Sequence, residues 1–298
     1  MIRTHHSGDA TPGPRPSGAL HARPSVRSSL MRTNHSRPQG GPYDPHVIRQ
    51  QGVLKTGYEA TDPTDSAGEA VQISDGSARL EGTLVLPEGA VALVLFAHGS
   101  GSSRKSPRNQ YVAGELQRAG LGTLLFDLMT PAEEATDRGR GDLRFDIGFL
   151  SQRLIAATIW AAGRKGIKGL PLGYFGASTG AAAALVAAAA FGDTLKAVVS
   201  RGGRPDLAGT ALPHVQAPTL LIVGGRDEAV LQSNRLALQT LRCRKQLILV
   251  PGATHLFEEP GALEEVSRLA ATWFRRHFSP AESPDAEPEL LDVSVRGE

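Results

Sequence analysis

Residues 170–191 read LPLGYFGASTGAAAALVAAAAF. The opening residues suit a strand buried on both faces of a parallel sheet. The Ala-rich stretch from Ala181 suits a helix, because alanine has the highest intrinsic helix propensity. Between them lies Gly176-Ala177-Ser178-Thr179-Gly180, a G-x-S-x-G pattern. The string alone is a weak signal, but a strand running directly in and a helix running directly out supply the setting the motif requires. So tight a turn strains the serine backbone, and its neighbours two positions away must lack side chains to avoid collision. The turn is expected to lift the Ser178 hydroxyl above the carboxyl edge of the sheet, where open α/β sheets bind ligands.

The same alternation extends outward. Ala70–Ser74 and Leu80–Leu86 alternate apolar with polar around Asp75-Gly76, a hairpin signal. Val91–Ala97 and Leu121–Leu128 are apolar runs separated by a helical pattern over 107–119, with Val112, Leu116 and Ala119 on one face. A second helical pattern spans about 144–164, with a stripe of Ile147, Leu150, Leu154, Ala157 and Ala161. Further strands are predicted at Leu170–Phe175, Lys196–Ser200, Thr219–Val223 and Gln246–Val250, and helices over 179–191 and 229–240. Pro260 is expected to open the last helix, with Leu263, Val266, Ala270, Trp273 and Phe274 facing inward. The fold class that follows is doubly wound α/β: a mostly parallel sheet of about eight strands with an antiparallel N-terminal hairpin, over residues 69–278.

Composition limits the alternatives. The 298-residue chain has no apolar run of about 18 residues, so no membrane-spanning helix and no membrane partner are expected. The pI of 8.8 does not imply nucleic-acid binding, because the charge is segregated. Residues 1–50 hold seven Arg against two Asp, while 279–298 hold one Arg against six acids. Residues 1–68 lack hydrophobic periodicity and are expected to be a disordered tail; 279–298 reads as an acidic, solvated one. Neither a secretory h-region nor the apolar helical stripe of a transit peptide is visible, and Met31 is an alternative start. The single cysteine, Cys243, excludes an intrachain disulfide and fits a cytoplasmic setting. No metal or cofactor site is implied, since the histidines are not paired at ligand spacing.

A serine hydroxyl needs a base to take its proton. His255, in Pro251-Gly252-Ala253-Thr254-His255 directly after a strand, is placed for that role. Asp227 follows strand 219–223 through Gly224-Gly225-Arg226, which gives the chain order Ser…Asp…His. Asp206, in the loop after strand 196–200, is the alternative acid. His98-Gly99-Ser100-Gly101-Ser102 follows a strand, and its glycines allow amides to turn inward; the amides of Ser100 and Thr179 are the expected oxyanion donors.

On these residues the chain resembles the α/β-hydrolase superfamily. HGSGSSRKSPRN (98–109), LLFDLMT (124–130), GYFGASTGAAAAL (173–185) and PGATHLFEEPGAL (251–263) carry a closer resemblance to the dienelactone hydrolase-like family. Dienelactone hydrolases proper use a Cys nucleophile where Ser178 stands, so the resemblance implies a generic serine hydrolase acting on an ester, thioester or lactone without a cofactor. An amidase with the same triad, or a binding protein on a hydrolase scaffold, is the alternative. Relatives with these stretches are often fused to a phosphoribosyltransferase domain, whose acidic-pair-then-Thr-Gly motif is not found in this sequence.

The segments 129–143 and 201–216 are short and hold no apolar helical hairpin, so no large lid is expected and the cleft should take small or polar substrates. His98, Arg104 and Arg201 are candidate substrate-binding residues, the arginines as clamps for a carboxylate. Lys105, Arg108 and Arg204 lie nearby in sequence. Met129 and the two tryptophans, Trp160 and Trp273, read as packing residues.

Overall fold

The structure, a computed structural model, describes residues 68–279; the tail expectations for 1–67 and 280–298 lie outside the described residues. Eight strands form one sheet: β1 (Glu69–Asp75), β2 (Ala78–Val85), β3 (Leu93–Ala97), β4 (Gly122–Phe126), β5 (Leu172–Ala177), β6 (Leu195–Arg201), β7 (Thr219–Gly224) and β8 (Lys245–Val250). Their spatial order is β1-β2-β4-β3-β5-β6-β7-β8. The β1–β2 and β2–β4 pairs are antiparallel, and every other neighbouring pair is parallel.

Six α-helices are described: α1 (Pro107–Arg118), α2 (Pro131–Arg140), α3 (Ile147–Gly163), α4 (Thr179–Phe191), α5 (Glu228–Thr240) and α6 (Ala262–Phe278). The apolar runs are continuous because each strand feeds two cores. Leu93, Leu95 and Ala97 join the core beneath α3 and α4, while Val94 and Phe96 join the one beneath α1 and α6. The chain passes from β3 to β4 on one side and then returns to β5 on the other. The helix after β3 lies on one face and the helix after β5 on the opposite face, which makes these strand ends the switch point where open α/β sheets bind ligands.

Two local expectations change. Pro260 does not open the last helix; α6 begins at Ala262, after Gly261 at φ 80°. The segment after β4 is not a plain loop but contains α2. A capping box starts that helix, with Thr130 Oγ1 accepting from Glu133 N–H and Glu133 accepting from Thr130 N–H, and Gly141 at φ 73° ends it. Only Asp137 of α2 is buried, so no apolar stripe marks it. No helix among the described residues is long and apolar enough to cross a membrane.

Candidate active site

Ser178 stands between β5 and α4 at φ 51°, ψ −121°. It is one of two non-glycine residues with positive φ among those described, and such a conformation costs on the order of 1–3 kcal/mol. The flanking glycines explain how the turn closes. A Cβ on Gly180 would lie 2.2 Å from the Ala97 carbonyl oxygen, and one on Gly176 2.5 Å from Ala181 Cα. The Ser178 amide donates to the Arg201 carbonyl at 3.2 Å, tying the turn to the end of β6. The N-terminus of α4 begins at this serine, so its partial positive charge faces the space around the hydroxyl.

His255 and Asp227 meet: His255 Nδ1 lies 2.7 Å from Asp227 Oδ2, and the Asp227 side chain is only 10% exposed. Asp227 comes from the end of β7 and His255 from the loop after β8, which swings back over β6. A Cβ on Gly202, just past β6, would lie 3.5 Å from His255 Cε1 and 3.3 Å from the buried ring of Phe257. Phe257 is the other positive-φ residue, at 55°, and turns the loop downward after the histidine. Asp206 is elsewhere: it forms an ion pair with Arg204 at 2.6 Å.

The loop after β3 is packed against the serine, since a Cβ on Gly99 would lie 3.1 Å from Ser178 Cβ. The Ser100 amide donates to Thr179 Oγ1 at 2.8 Å, so this expected oxyanion donor has an internal acceptor in the free protein.

Two of the expected substrate-binding residues have their polar groups engaged within the protein. His98 is buried, and both ring nitrogens are occupied. Leu128 N–H donates to Nε2 at 3.0 Å, which leaves the proton on Nδ1, 3.0 Å from the Gly99 carbonyl. The ring thus clamps the loop after β3 to the end of β4. Arg104 is taken by carboxylates: its guanidinium pairs with Asp127 and, at 2.6 Å, with Glu81, while its amide donates to Asp127 Oδ1 at 2.7 Å. Sequence reading assigned no role to Asp127, although it ends the quoted strand LLFD at the edge where loops converge. Arg201 is buried beside the serine, 8% exposed, with no acid paired to it among the described residues. No group of three or more His, Cys, Asp or Glu among the described residues is placed to hold a metal ion.

These placements predict two effects. Arg104→Ala is expected to lower stability by about 1–3 kcal/mol, chiefly through Asp127, which would lose a charged hydrogen-bond partner in a poorly hydrated position. Glu81 is half exposed and adds little. Thermal unfolding checks this, and an unchanged Tm would show the clamp to be idle. The second effect concerns acid. Burial holds the pKa of His98 below its usual 6.5, more strongly than the Gly99 hydrogen bond and Asp127 raise it. His277 is likewise pushed down to about 4 by burial and by Arg244 and Arg276. Both histidines are therefore neutral in the fold while the unfolded chain protonates near pH 6.5, so stability is fully present above that pH and declines below it. His98→Gln and His277→Gln should each flatten the Tm slope between pH 7 and pH 4. A slope unchanged in both variants would mean that neither ring is held neutral.

The comparisons with known proteins agree with this architecture. The pattern of the dienelactone hydrolase family matches residues 133–279. The crystal structure of a dienelactone hydrolase from Anabaena variabilis is 56% identical, with a TM-score of 0.71, covering 72% of this chain and 100% of that one. An α/β serine hydrolase without lid from Xanthomonas campestris shares the fold at 22% identity and a TM-score of 0.57, over 74% of this chain and 100% of its own. Two Mycobacterium tuberculosis proteins named putative phosphoribosyl transferase are 57% identical over 210 residues, 70% of this chain and 46% of theirs. The chain thus spans about half the length of these curated relatives. With 56% identity along the full Anabaena chain and the same sheet beneath it, this chain belongs to the dienelactone hydrolase family, a family of hydrolases on the α/β-hydrolase fold.

Proposed function

We propose that the chain hydrolyses a small carboxylic ester, thioester or lactone through an acyl-enzyme on Ser178, with no cofactor. What supports this reading is a strained serine at the carboxyl end of β5 and, on a loop at the same edge of the sheet, a histidine whose Nδ1 lies 2.7 Å from a nearly buried carboxylate. In the first half-reaction Ser178 Oγ attacks the acyl carbon, and His255 Nε2 takes the hydroxyl proton. The tetrahedral oxygen accepts from the Thr179 amide and from the Ser100 amide, which exchanges Thr179 Oγ1 for the substrate. Collapse expels the alcohol, thiol or ring oxygen, which leaves with the proton from His255. Water then attacks the acyl-enzyme, its proton passing through His255 back to Ser178. Asp227 keeps the Nδ1 proton in place and stabilises the imidazolium. The lactone in the name of the Anabaena relative makes cyclic esters natural first substrates to try, and the single half-buried thiol of Cys243 suits a cytoplasmic location.

The test is labelling by a fluorophosphonate, which reacts with an activated serine. Mass spectrometry is expected to place the adduct on the peptide containing Ser178, and prior denaturation should abolish it. A folded protein that resists the reagent between about pH 6 and 9 would return the chain to the class of binding scaffolds.

A further inference from the structure

The loop after β8 meets the end of β7 through main chain. The Gly225 amide donates to the Val250 carbonyl at 2.9 Å, and the Arg226 amide to the Ala253 carbonyl at 2.9 Å. A Cβ on Gly224 would lie 2.5 Å from the carbonyl oxygens of both Ala253 and Thr254, so the two segments touch as bare backbone. Past Thr254 the chain turns, with the Phe257 amide donating to the Thr254 carbonyl at 3.2 Å. The Glu259 side chain folds back across this turn. Its Oε1 accepts from the Thr254 amide at 3.0 Å, closing a ring of residues 254–259 that contains His255. Its Oε2 is buried and has no hydrogen-bond partner among the described residues. Burial alone would raise the Glu259 pKa, but the Thr254 hydrogen bond and the Arg226 charge hold it below the usual carboxylate range. The side chain does not serve the helix that follows, since α6 has Gly261 at its N-cap and no side-chain cap. A half-satisfied buried carboxylate calls for a reason.

The reason lies in the peptide that Glu259 holds. The peptide between Ala253 and Thr254 is fixed at both of its polar ends, its carbonyl by the amide of Arg226 and its N–H by Glu259. Arg226 immediately precedes Asp227, and Thr254 immediately precedes His255. The same peptide thus sits one residue from each partner of the 2.7 Å His255–Asp227 bond. Resting on the hydrolytic reading given above, we infer that Glu259 is a positioning residue, which sets the angle at which the His255 ring meets Asp227 and faces Ser178. A catalytic side chain must be held to about 0.5 Å and 10–20°. A swing of about 15° in the backbone before His255 moves the far ring nitrogen by roughly 1 Å, and a misplacement of that size can cost about 100-fold in rate. Glu259 acts through the loop and takes no part in the proton transfer itself. Its unpartnered oxygen is the cost of placing an anionic acceptor where a main-chain carbonyl does not reach.

The test compares three variants of the whole chain, with rates taken per folded molecule and well below each Tm. Glu259→Gln keeps the reach and an acceptor oxygen but loses the charge. Glu259→Asp keeps the charge but is one methylene too short for Thr254. Glu259→Ala keeps neither. With a lactone or a short ester as substrate, kcat is expected to fall about 10- to 100-fold in Glu259→Ala and Glu259→Asp, with KM within about twofold. Glu259→Gln should stay within about threefold of the parent, although its amide nitrogen takes the buried place of Oε2, so rate and Tm move separately. A merely structural glutamate would lower Tm and leave kcat of the folded protein unchanged in all three variants, which overturns the inference. A normal rate in Glu259→Asp with a low one in Glu259→Gln overturns it too, since charge and not the hydrogen bond would then matter. The second readout needs no substrate. It is the far-downfield proton resonance of the Nδ1–H bond to Asp227, identified by its loss in His255→Ala. Exchange with solvent should broaden it in Glu259→Ala and Glu259→Asp, but not in Glu259→Gln or in Glu258→Ala, whose carboxylate pairs with Arg108 instead. An equally sharp resonance in every variant overturns the positioning role. If no ester is turned over and Ser178 resists the fluorophosphonate, the hydrolytic reading fails, while the pattern of broadening still decides whether Glu259 holds the ring.

Discussion

Ser178→Ala is expected to reduce ester turnover by about 10⁶, and His255→Ala by a similar factor, because nucleophile and base act as one unit. For the same reason the double variant should be no slower than either single one. The fold should survive, since the Ser178 side chain caps no helix and an alanine keeps the same Cβ in the same strained backbone. Ser178→Gly goes further: removing the Cβ at φ 51° should raise stability by about 1 kcal/mol while activity disappears. Such an opposition between stability and turnover separates a functional strain from an accidental one. Active-site titration and thermal unfolding of the same preparations check both halves. A Ser178→Ala protein that retained more than about one-hundredth of parental turnover would assign the nucleophile to another group.

Asp227→Asn should reduce turnover by about 10⁴ with little change in substrate affinity. The carboxylate accepts from Nδ1 at 2.7 Å, which puts the ring's lone pair on Nε2, the nitrogen proposed as the base. An asparagine can instead turn its amide toward the ring, donate to Nδ1 and move the proton to the nitrogen that must take it from serine. Asp206→Asn is the matched control. Its loss breaks an exposed pair with Arg204 and should leave the rate within about threefold, since exposed pairs contribute at most about 1 kcal/mol. A large loss in Asp206→Asn with a normal rate in Asp227→Asn would reverse the assignment of the acid.

The parts of this protein that could be read from sequence are those whose causes are local. The turn around Ser178 announces itself because colliding backbones leave no choice but glycine at 176 and 180. The hairpin at Asp75-Gly76 and the two-faced apolar strands follow from short-range periodicity in the same way. Charges were legible, but their partners were not. Arg104 reads as an available clamp until Glu81 and Asp127, each 23 residues away, are brought onto it by the β2–β4 pairing. His98 looks free for the same reason, because its partner Leu128 lies 30 residues on. The helix α2 was missed on pattern, since it buries no apolar stripe, yet Thr130-Pro131-Ala132-Glu133 and Gly141 mark both its ends chemically. Arg201 shows a mixed case. Alternation with Ala197 and Val199 already places it on a buried face, but only the assembled fold shows that no acid among the described residues pairs with it there.

The ion pairs of Arg104 tie the antiparallel margin of the sheet to the loop that carries Ser100. Glu81 lies on β2, and its carbonyl also accepts the Asp127 amide at 3.0 Å, so the margin and the loop share one set of fastenings. Hairpin margins are the elements that open first in a thermally agitated sheet. When β1 and β2 peel away, the loop loses its tie to Glu81 and the backbone bond that steadies Asp127, and it loosens although Asp127 itself and the parallel core stay in place. Catalytic failure on warming should therefore precede loss of helical signal, and amide exchange at Ser100 should keep pace with exchange in the hairpin more than with exchange in β5. The upper working temperature of this protein is then a property of its border strands, and reinforcing them is the direct route to raising it.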